Sequence, residues 1–214
     1  MRGAKLAFVG ESGSGKSTLL ELLAMILRPT ASDAFRFQPG QGSDSYDIAE
    51  AWDEYDPDLL ADLRSRHIGY VLQYGGLLPY LTVRENIELS RRLLHLPAAG
   101  AAERWAERLN IAAQLGKRPG ELSVGQRQRA AIARALVHDP AVLIADEPTA
   151  AVDPLNAERI MEVMVGLVDE TGVTLIVASH AHRLMQSAGL RMIDHRISAD
   201  SGNWMQVTVT DAAE

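Results

Sequence analysis

The chain has 214 residues but no cysteine, and no apolar run in it approaches the ~18 residues that a membrane-spanning helix needs. The absence of cysteine excludes disulfides and thiolate metal ligands, which fits a reducing compartment. Basic residues are also scarce, and the resulting net charge of −7 disfavours nucleic acid as a partner. Residues 1–5 lack the form of a signal peptide, so we expect a cytoplasmic protein that can still lie against a membrane partner.

Apolar residues make up 47% of the chain, which is enough for one substantial domain with its own core. Continuous apolar runs, which are typical of buried strands, alternate with stretches of helical periodicity. The runs lie at residues 6–9, 68–72, 142–145, 174–178, 190–193 and 205–210. This alternation predicts an α/β fold with a mostly parallel sheet that helices cover on both faces. Ligands of such sheets bind at the carboxyl ends of the strands.

A glycine-rich stretch of sequence GESGSGKST follows the first predicted strand and precedes an apolar helix at residues 19–27. Strand, glycine-rich turn and helix in this order are the context in which the pattern G-x-x-x-x-G-K-[ST] binds phosphate. Backbone N–H groups would hold the phosphates of a nucleotide, and Lys16 would act in catalysis by reaching the β- and γ-phosphates. The residues assigned to nucleotide binding here are Gly10, Glu11, Ser12, Gly13, Ser14, Gly15, Lys16, Ser17 and Thr18.

Polar side chains follow three further predicted strands, at ends that should meet at one edge of the sheet. We expect Asp146 to hold Mg²⁺ together with the Ser17 hydroxyl, and Gln73 to bridge the metal or the attacking water. Glu147, the next residue, is expected to face that water as a general base. His180 is expected to contact the γ-phosphate and orient the water. The alternative interpretation of the two adjacent acids is a solvated turn.

Residues 82–116 carry only helical signals and no strand pattern. Thr82 and Glu85 fit a capping box that opens the first helix. Trp105, on the second helix, is predicted to pack in the core rather than to contact a ligand. We therefore expect a helical subdomain at residues 82–118, inserted into the α/β core.

A second anion site is predicted at residues 122–126, which have the sequence LSVGQ. Ser123 fits the N-cap of a helix, and with Gly125 and Gln126 it would present N–H groups at the helix N-terminus. One nucleotide does not need two phosphate cradles from the same chain, so we expect this helix end to serve the nucleotide of another subunit. The arrangement predicts a head-to-tail homodimer with two composite sites, and Asp153 would cross the same interface.

These motifs resemble those of the ATP-binding cassette (ABC) family, and they occur in the order that the family has. The matches are Walker A at residues 10–18, the Q-loop at Gln73, the LSGGQ signature at 122–126, Walker B with its catalytic glutamate at 142–147, the D-loop at 150–153 and the switch histidine at His180. The amino-acid sequence at residues 77–86 and 118–119 most resembles that of the small ATPases of lipoprotein-releasing, macrolide-export and cell-division systems.

The resemblance implies one ABC ATPase domain over residues 1–214, with a P-loop NTPase core and the inserted helical subdomain. It also implies a reduced N-terminal antiparallel β region, because the chain starts too late for the strand pair that usually carries an aromatic residue against adenine. The implied subunit binds and hydrolyses ATP with Mg²⁺ and dimerises on MgATP. It lies on the inner face of the cell membrane and drives separate transmembrane permease subunits. These permease subunits contact the groove between Gln73 and the helical subdomain.

Two further departures from the family pattern leave the catalytic residues in place. Val124 replaces the first signature glycine, and its bulk is expected to slow closure of the dimer. Ala181 replaces the acid that often follows the switch histidine. Since the catalytic residues remain, ATPase activity is still expected.

Two other functions stay open at this point. An ATP-gated signalling module of the cell-division type would use the same dimer cycle without moving a substrate. A soluble ABC ATPase of DNA repair or translation fits less well, because the chain is acidic and has no second cassette. The stretch at residues 44–62 has eight acids and no lysine or arginine, which indicates either a solvated loop and helix start or an acidic surface for a basic partner loop.

Overall fold

The computed structural model describes residues 3–11, 13–199 and 205–211 of the chain. The strands in these residues are β1 (Lys5–Val9), β2 (Arg36–Phe37), β3 (Tyr46–Asp47), β4 (Ile68–Val71), β5 (Val142–Asp146), β6 (Thr174–Ser179), β7 (Arg191–Ala199) and β8 (Met205–Asp211). The helices are α1 (Lys16–Leu23), α2 (Ile48–Asp53), α3 (Pro57–His67), α4 (Val83–Leu93), α5 (Ala101–Arg108), α6 (Val124–Leu136), α7 (Pro154–Thr171) and α8 (His182–Ser187), with short 3₁₀ segments at Ala112–Gln114 and Pro119–Glu121. None of these helices combines the length and the apolarity required to cross a bilayer.

Six strands form one sheet in the order β4-β5-β6-β1-β7-β8, and β2 pairs with β3 in a separate antiparallel ribbon. Neighbours from β4 to β7 run parallel, and β8 extends the sheet as an antiparallel edge strand. The predicted α/β fold with a mostly parallel sheet is therefore confirmed. The register places Val9 beside Ser179 and Asp146 beside Ala178, so the carboxyl ends of these strands meet at one edge.

Apolar side chains cover both faces of the sheet, because successive residues of a strand point to opposite sides. Leu143 and Ala145 of β5 belong to the large core shared with α4 to α7. Ile144, between them, packs with Leu20 of α1 on the other face. Burial on both faces is the reason that these strands are continuous apolar runs in the sequence.

The N-terminal caps that the sequence predicts at Thr82 and Ser123 form in the structure. Thr82 and Glu85 form the capping box at the start of α4, and Ser123 and Gln126 form another at the start of α6. Gly172 ends α7 in the left-handed conformation, with φ 67°. Each cap satisfies backbone groups that the end of a helix leaves unpaired.

Helix α2 is an element that the sequence does not reveal, since its residues read as part of a solvated acidic loop. Asp47 caps it by accepting from the N–H group of Glu50, and Ile48 and Ala51 are buried against α3. Two apolar positions three residues apart are enough for one buried helical stripe once a neighbouring helix covers them. Acids on the exposed side hide this stripe in a composition-based reading.

Trp105 of α5 lies in the large core with 7% of its surface exposed, which confirms the prediction of a packing role. The guanidinium of Arg108 lies 5.1 Å from the centre of the indole ring. Arg108 also pairs with Glu170 of α7. This corner therefore joins the helices at residues 82–118 to the α/β core.

Gly69 in β4 provides a test of how closely α6 packs on the sheet. A Cβ atom at Gly69 would lie 2.1 Å from the carbonyl oxygen of Ala135 in α6. We expect Gly69→Ala to lower the free energy of unfolding by about 3 kcal/mol, because the α6 backbone has to move away. Urea unfolding measures this change. Gly120→Ala is the control, since a Cβ at Gly120 meets no atom within 4 Å, and equal midpoints for the two variants would contradict the close packing.

Candidate nucleotide-binding site

A cleft of about 630 Å³ opens at the carboxyl edge of the sheet. Four separate segments of the chain form its wall: the glycine-rich loop with the start of α1, and the residues that follow β4, β5 and β6. The lining residues are Glu11, Gly13, Ser14, Gly15, Lys16, Ser17, Thr18, Gln73, Glu147 and His180. These lining residues, which the sequence assigns to one site, thus lie together, although Glu11 and His180 are 169 positions apart in the chain.

The glycine-rich loop has the backbone geometry of an anion cradle. Gly13 and Gly15 take left-handed conformations with φ of 81° and 75°, which residues with a Cβ atom adopt only under strain. Helix α1 begins after Gly15 without a side-chain cap, and this leaves its first backbone N–H groups to a bound phosphate. Ser12, also assigned to nucleotide binding, lies outside the described residues.

Backbone carbonyl groups of the glycine-rich loop hold the side chain of Lys16 in place. Only 5% of its surface is exposed, and its Nζ donates to the carbonyl oxygens of Gly10 at 2.8 Å and Glu11 at 2.7 Å. The same nitrogen lies 3.3 Å from the Ser14 hydroxyl oxygen. No carboxylate of the described residues forms an ion pair with this ammonium. A buried ammonium without an anionic partner among the described residues fits a bound anion such as phosphate.

Asp146, at the last position of β5, has the chemistry of a metal ligand. Its Oδ1 is buried and has no hydrogen-bond partner among the described residues, although the carboxyl group does not itself line the cleft. Burial, reinforced by the negative charges of Asp146 and Glu21, raises the pKa of the nearby Tyr70. A buried carboxylate oxygen without a hydrogen-bond partner suits a hard cation such as Mg²⁺.

No group of three or more histidine, cysteine or acidic side chains that could enclose a metal occurs in the described part of the chain. Magnesium typically keeps several waters and binds to proteins through one or two carboxylates and the phosphates of a substrate. A single aspartate beside a phosphate loop therefore fits a metal that arrives with a nucleotide.

Glu147 and His180 are in direct contact across the cleft. The carboxylate Oε2 of Glu147 lies 2.9 Å from Nδ1 of His180. The Glu147 backbone is in the left-handed region with φ 46°, and its N–H group donates to the carbonyl oxygen of Ala178 at 2.9 Å. Such a conformation is strained for a residue with a side chain, and strain of this kind clusters at functional sites. Glu147, which follows β5, lines the cleft. Its strained backbone and its contact with His180 are features that the sequence does not reveal.

Ser123, Gly125 and Gln126 do not line the cleft of their own chain. The backbone N–H of Ser123 donates to Oε1 of Gln126 at 2.9 Å, and the N–H of Gln126 donates to the Ser123 hydroxyl at 3.3 Å. Val124, the first residue of α6, is 38% exposed. The predicted second anion site is thus an exposed helix end, separate from the phosphate loop.

Asp153 caps α7 rather than entering the cleft. Its carboxylate accepts from the backbone N–H of Asn156 at 3.1 Å and from the side-chain amide at 2.6 Å. These hydrogen bonds to Asn156 lower the pKa of Asp153. The neighbouring residues Val152 and Pro154 line a groove of about 730 Å³ that shares His180 with the cleft.

A glycine-rich phosphate loop at the carboxyl edge of a parallel sheet, with an aspartate and a glutamate at the end of β5 on the same edge, defines a P-loop nucleoside triphosphatase. The sequence pattern of the ABC transporter family matches residues 1–150, so the chain belongs to the ABC transporter family. It is an ATP-binding ATPase of that family, and the resemblance predicted from its motifs is confirmed.

Curated relatives cover most of the chain. It is 37% identical over 203 residues to the lipoprotein-releasing system ATP-binding protein LolD of Geobacter metallireducens, a match that spans 92% of this chain and 85% of that protein. It is 36% identical over 210 residues to the macrolide export ATP-binding/permease protein MacB of Syntrophobacter fumaroxidans. That match spans 94% of this chain but only 27% of the longer MacB protein.

Solved structures share the fold. The ATP-binding cassette MJ0796, in a dimeric post-hydrolysis state bound to ADP and Pi, is 30% identical and has a TM-score of 0.74. The match covers 90% of this chain and 81% of MJ0796. CbiO1 from Clostridium perfringens, part of the transporter complex cbiONQ, is 32% identical with a TM-score of 0.68, over 84% of this chain and 68% of its own.

Proposed function

We propose that this chain is the nucleotide-binding subunit of a membrane transport complex, in which two copies close on MgATP and drive separate transmembrane permease subunits. One observation supports the dimer. The helix end formed by Ser123 and Gly125 has the chemistry of an anion site but lies outside the cleft of the same chain. A head-to-tail partner brings this helix end against the nucleotide of the other copy. The dimeric structures of MJ0796 support the same assembly.

Residues of the glycine-rich loop hold the phosphates of ATP in this proposal, through backbone N–H groups and the Lys16 ammonium. Lys16 exchanges contacts with loop carbonyls for contacts with phosphate oxygens. Ser17, Asp146 and Gln73 hold Mg²⁺. The metal, when bound, neutralises charge on the β- and γ-phosphates.

Glu147 accepts the proton of the attacking water, because it follows β5 and lines the cleft with a carboxylate acceptor. His180 contacts this carboxylate through Nδ1. Its second ring nitrogen, Nε2, is left to orient the attacking water at the γ-phosphate, so that one ring positions both the base and the water. Lys16 stabilises the negative charge that develops on the transferred phosphoryl group.

Exposed apolar side chains around Gln73 support contact with a permease. Leu72 is 48% exposed, Tyr74 77% and Tyr80 68%, all on the segment between β4 and α4. Large exposed apolar groups close together mark interaction surfaces. In this proposal residues 82–118 form the helical subdomain beside this surface, and the chain lies peripherally on the inner face of the cell membrane.

A substitution at Gly125 tests whether each copy contributes the N-terminus of its α6 to the nucleotide site of the other copy. A Cβ at Gly125 meets no atom within 4 Å, so Gly125→Asp is expected to fold normally. We expect it to reduce ATP hydrolysis at least ~10-fold, because a carboxylate at the helix end repels the partner's γ-phosphate. Steady-state ATPase assays with the permease present measure the change.

Mixing this variant with a Lys16→Met chain separates a shared site from a site within one chain. In a mixed head-to-tail dimer both defects fall on one site and the other site is intact, so about a quarter of the sites in an equal mixture are functional. Activity should therefore reappear on mixing. If the mixture stays as inactive as its two components, the composite site is wrong.

A further inference from the structure

The segment between Gln73 and Thr82 has an irregular backbone, yet two side chains, the partly buried Arg134 and the fully buried Asn86, hold it at several carbonyl groups. It turns at Gly75 and Gly76, whose φ angles of 76° and 59° are left-handed. The N–H of Gly75 donates back to the carbonyl oxygen of Leu72 at 2.8 Å. The carbonyl oxygens of both glycines accept hydrogen bonds from outside the turn.

Arg134 of α6 supplies those hydrogen bonds. Its Nη1 donates to the carbonyl oxygen of Gly76 at 2.8 Å, and its Nη2 donates to that of Gly75 at 3.0 Å. No carboxylate of the described residues forms an ion pair with this guanidinium. Partial burial lowers the pKa of Arg134, because it removes the guanidinium from water. Only a planar fork of donors can hold two successive carbonyl groups in this way.

Asn86 of α4 holds the other end of the segment. It is fully buried, its Oδ1 accepts from the N–H of Leu78 at 2.8 Å, and its Nδ2 donates to the carbonyl oxygens of Leu78, Leu81 and Thr82. Helices α4 and α6 are also joined directly, since the Ser90 hydroxyl donates to the carbonyl oxygen of Arg134 at 3.4 Å. The segment after Gln73 is therefore fastened to two helices and not to the sheet alone.

The same helix connects Arg134 to the second anion site. Helix α6 begins at the Ser123 cap, eleven residues before Arg134, which corresponds to about 16 Å of rigid helix. Gln73 lines the phosphate cleft at the start of the fastened segment. A movement of α6 that follows a change at its N-terminus is therefore transmitted through the guanidinium to the segment that carries Gln73.

We propose that Arg134 is a positioning residue that fixes Gln73 in the nucleotide site by tying the Gly75–Gly76 turn to α6, so that the anion-binding end of α6 and the Gln73 segment move as one unit. This inference rests on the proposed function, because it takes Gln73 and the α6 N-terminus as parts of the nucleotide site. Arg134 itself touches no substrate in this assignment and acts through the backbone of the turn.

Arg134→Met removes both donors while it retains much of the side-chain volume. We expect amide hydrogen exchange at residues 74–78, measured by mass spectrometry, to accelerate at least ~10-fold, with exchange in β4 and α4 unchanged. The kcat for ATP hydrolysis should fall ~10-fold while KM stays within about twofold, because loop order affects the arrangement of the reacting groups more than nucleotide binding. Arg134→Lys, which reaches one carbonyl at a time, should restore part of both losses.

Arg91→Met is the matched control. Arg91 also donates from a guanidinium to backbone carbonyls, those of Pro97 and Val137, but it does not contact the Gln73 segment. It should alter urea stability without altering exchange at residues 74–78 or the ratio of kcat to KM. Unchanged exchange at 74–78 in Arg134→Met, or equal effects of the two arginine variants, would overturn the proposal. A wild-type chain that hydrolyses no ATP would contradict the proposed function, whereas the exchange measurement would still decide the positioning role.

Discussion

Replacing Glu147 with glutamine is expected to lower the rate of ATP hydrolysis at least ~100-fold and to leave ATP binding intact. Glutamine has the size and shape of glutamate but cannot accept a proton from water. The strained backbone at φ 46° and the bond from its N–H to the Ala178 carbonyl place either side chain in the cleft. The loss therefore isolates the chemical step from positioning.

Steady-state hydrolysis and equilibrium ATP binding, measured on the same preparation, check this expectation. Glu162→Gln is the matched control, because Glu162 is an exposed acid on α7. The Glu147 variant should also accumulate as a dimer in saturating MgATP, detectable by light scattering, since closed dimers no longer reopen through hydrolysis. A variant that hydrolyses at a near-normal rate removes Glu147 from the role of base, and one that stays monomeric with the permease present contradicts the dimer cycle.

Lys16→Met is expected to weaken ATP binding ~100-fold and to abolish measurable hydrolysis. The ammonium is the one buried cation of the described loop, and in the proposal it pairs with the β- and γ-phosphates. Methionine matches its length without charge or donors. Loss of the three contacts to Gly10, Glu11 and Ser14 also loosens the loop, which adds to the loss of affinity.

Titration of nucleotide binding by calorimetry measures this effect, and urea unfolding separates it from a loss of stability. Lys5→Met serves as the control, because Lys5 of β1 pairs with Asp169 of α7 and is not among the residues that line the cleft. Affinity equal to that of the wild type in the Lys16 variant would mean that backbone N–H groups alone hold the phosphates.

Motifs with local causes were predictable from the chain. The glycine-rich loop lies between β1 and α1, and the caps at Thr82 and Ser123 form, because each depends on residues no more than a few positions apart. The parallel strands were predictable for a related reason: burial on both faces requires apolar residues at every position. Helix α2 escaped prediction because its stability comes from contact with α3 and not from its own acidic composition.

The roles of the site residues stay predictions, although their placement agrees with the expectation from strand ends. Gln73, Glu147 and His180 share a cleft with the phosphate loop because the carboxyl ends of parallel strands meet at one edge. The order in which they stand along that edge was not predictable. Strands β5 and β6 lie between β4 and β1, so Glu147 and His180 occupy the middle of the row.

Residue types and their spacing along the chain were thus sufficient to identify an ABC ATPase, its phosphate loop and the acids that end β5, since local turns and continuous burial leave a direct pattern. The tertiary structure determined the features that depend on residues far apart in the chain. These are the order of the strands, the contact between Glu147 and His180, and the hydrogen bonds from Arg134 to the turn after Gln73. Such contacts form between segments that carry no mutual signal in the sequence, because their partners meet only when the sheet and the helices have packed.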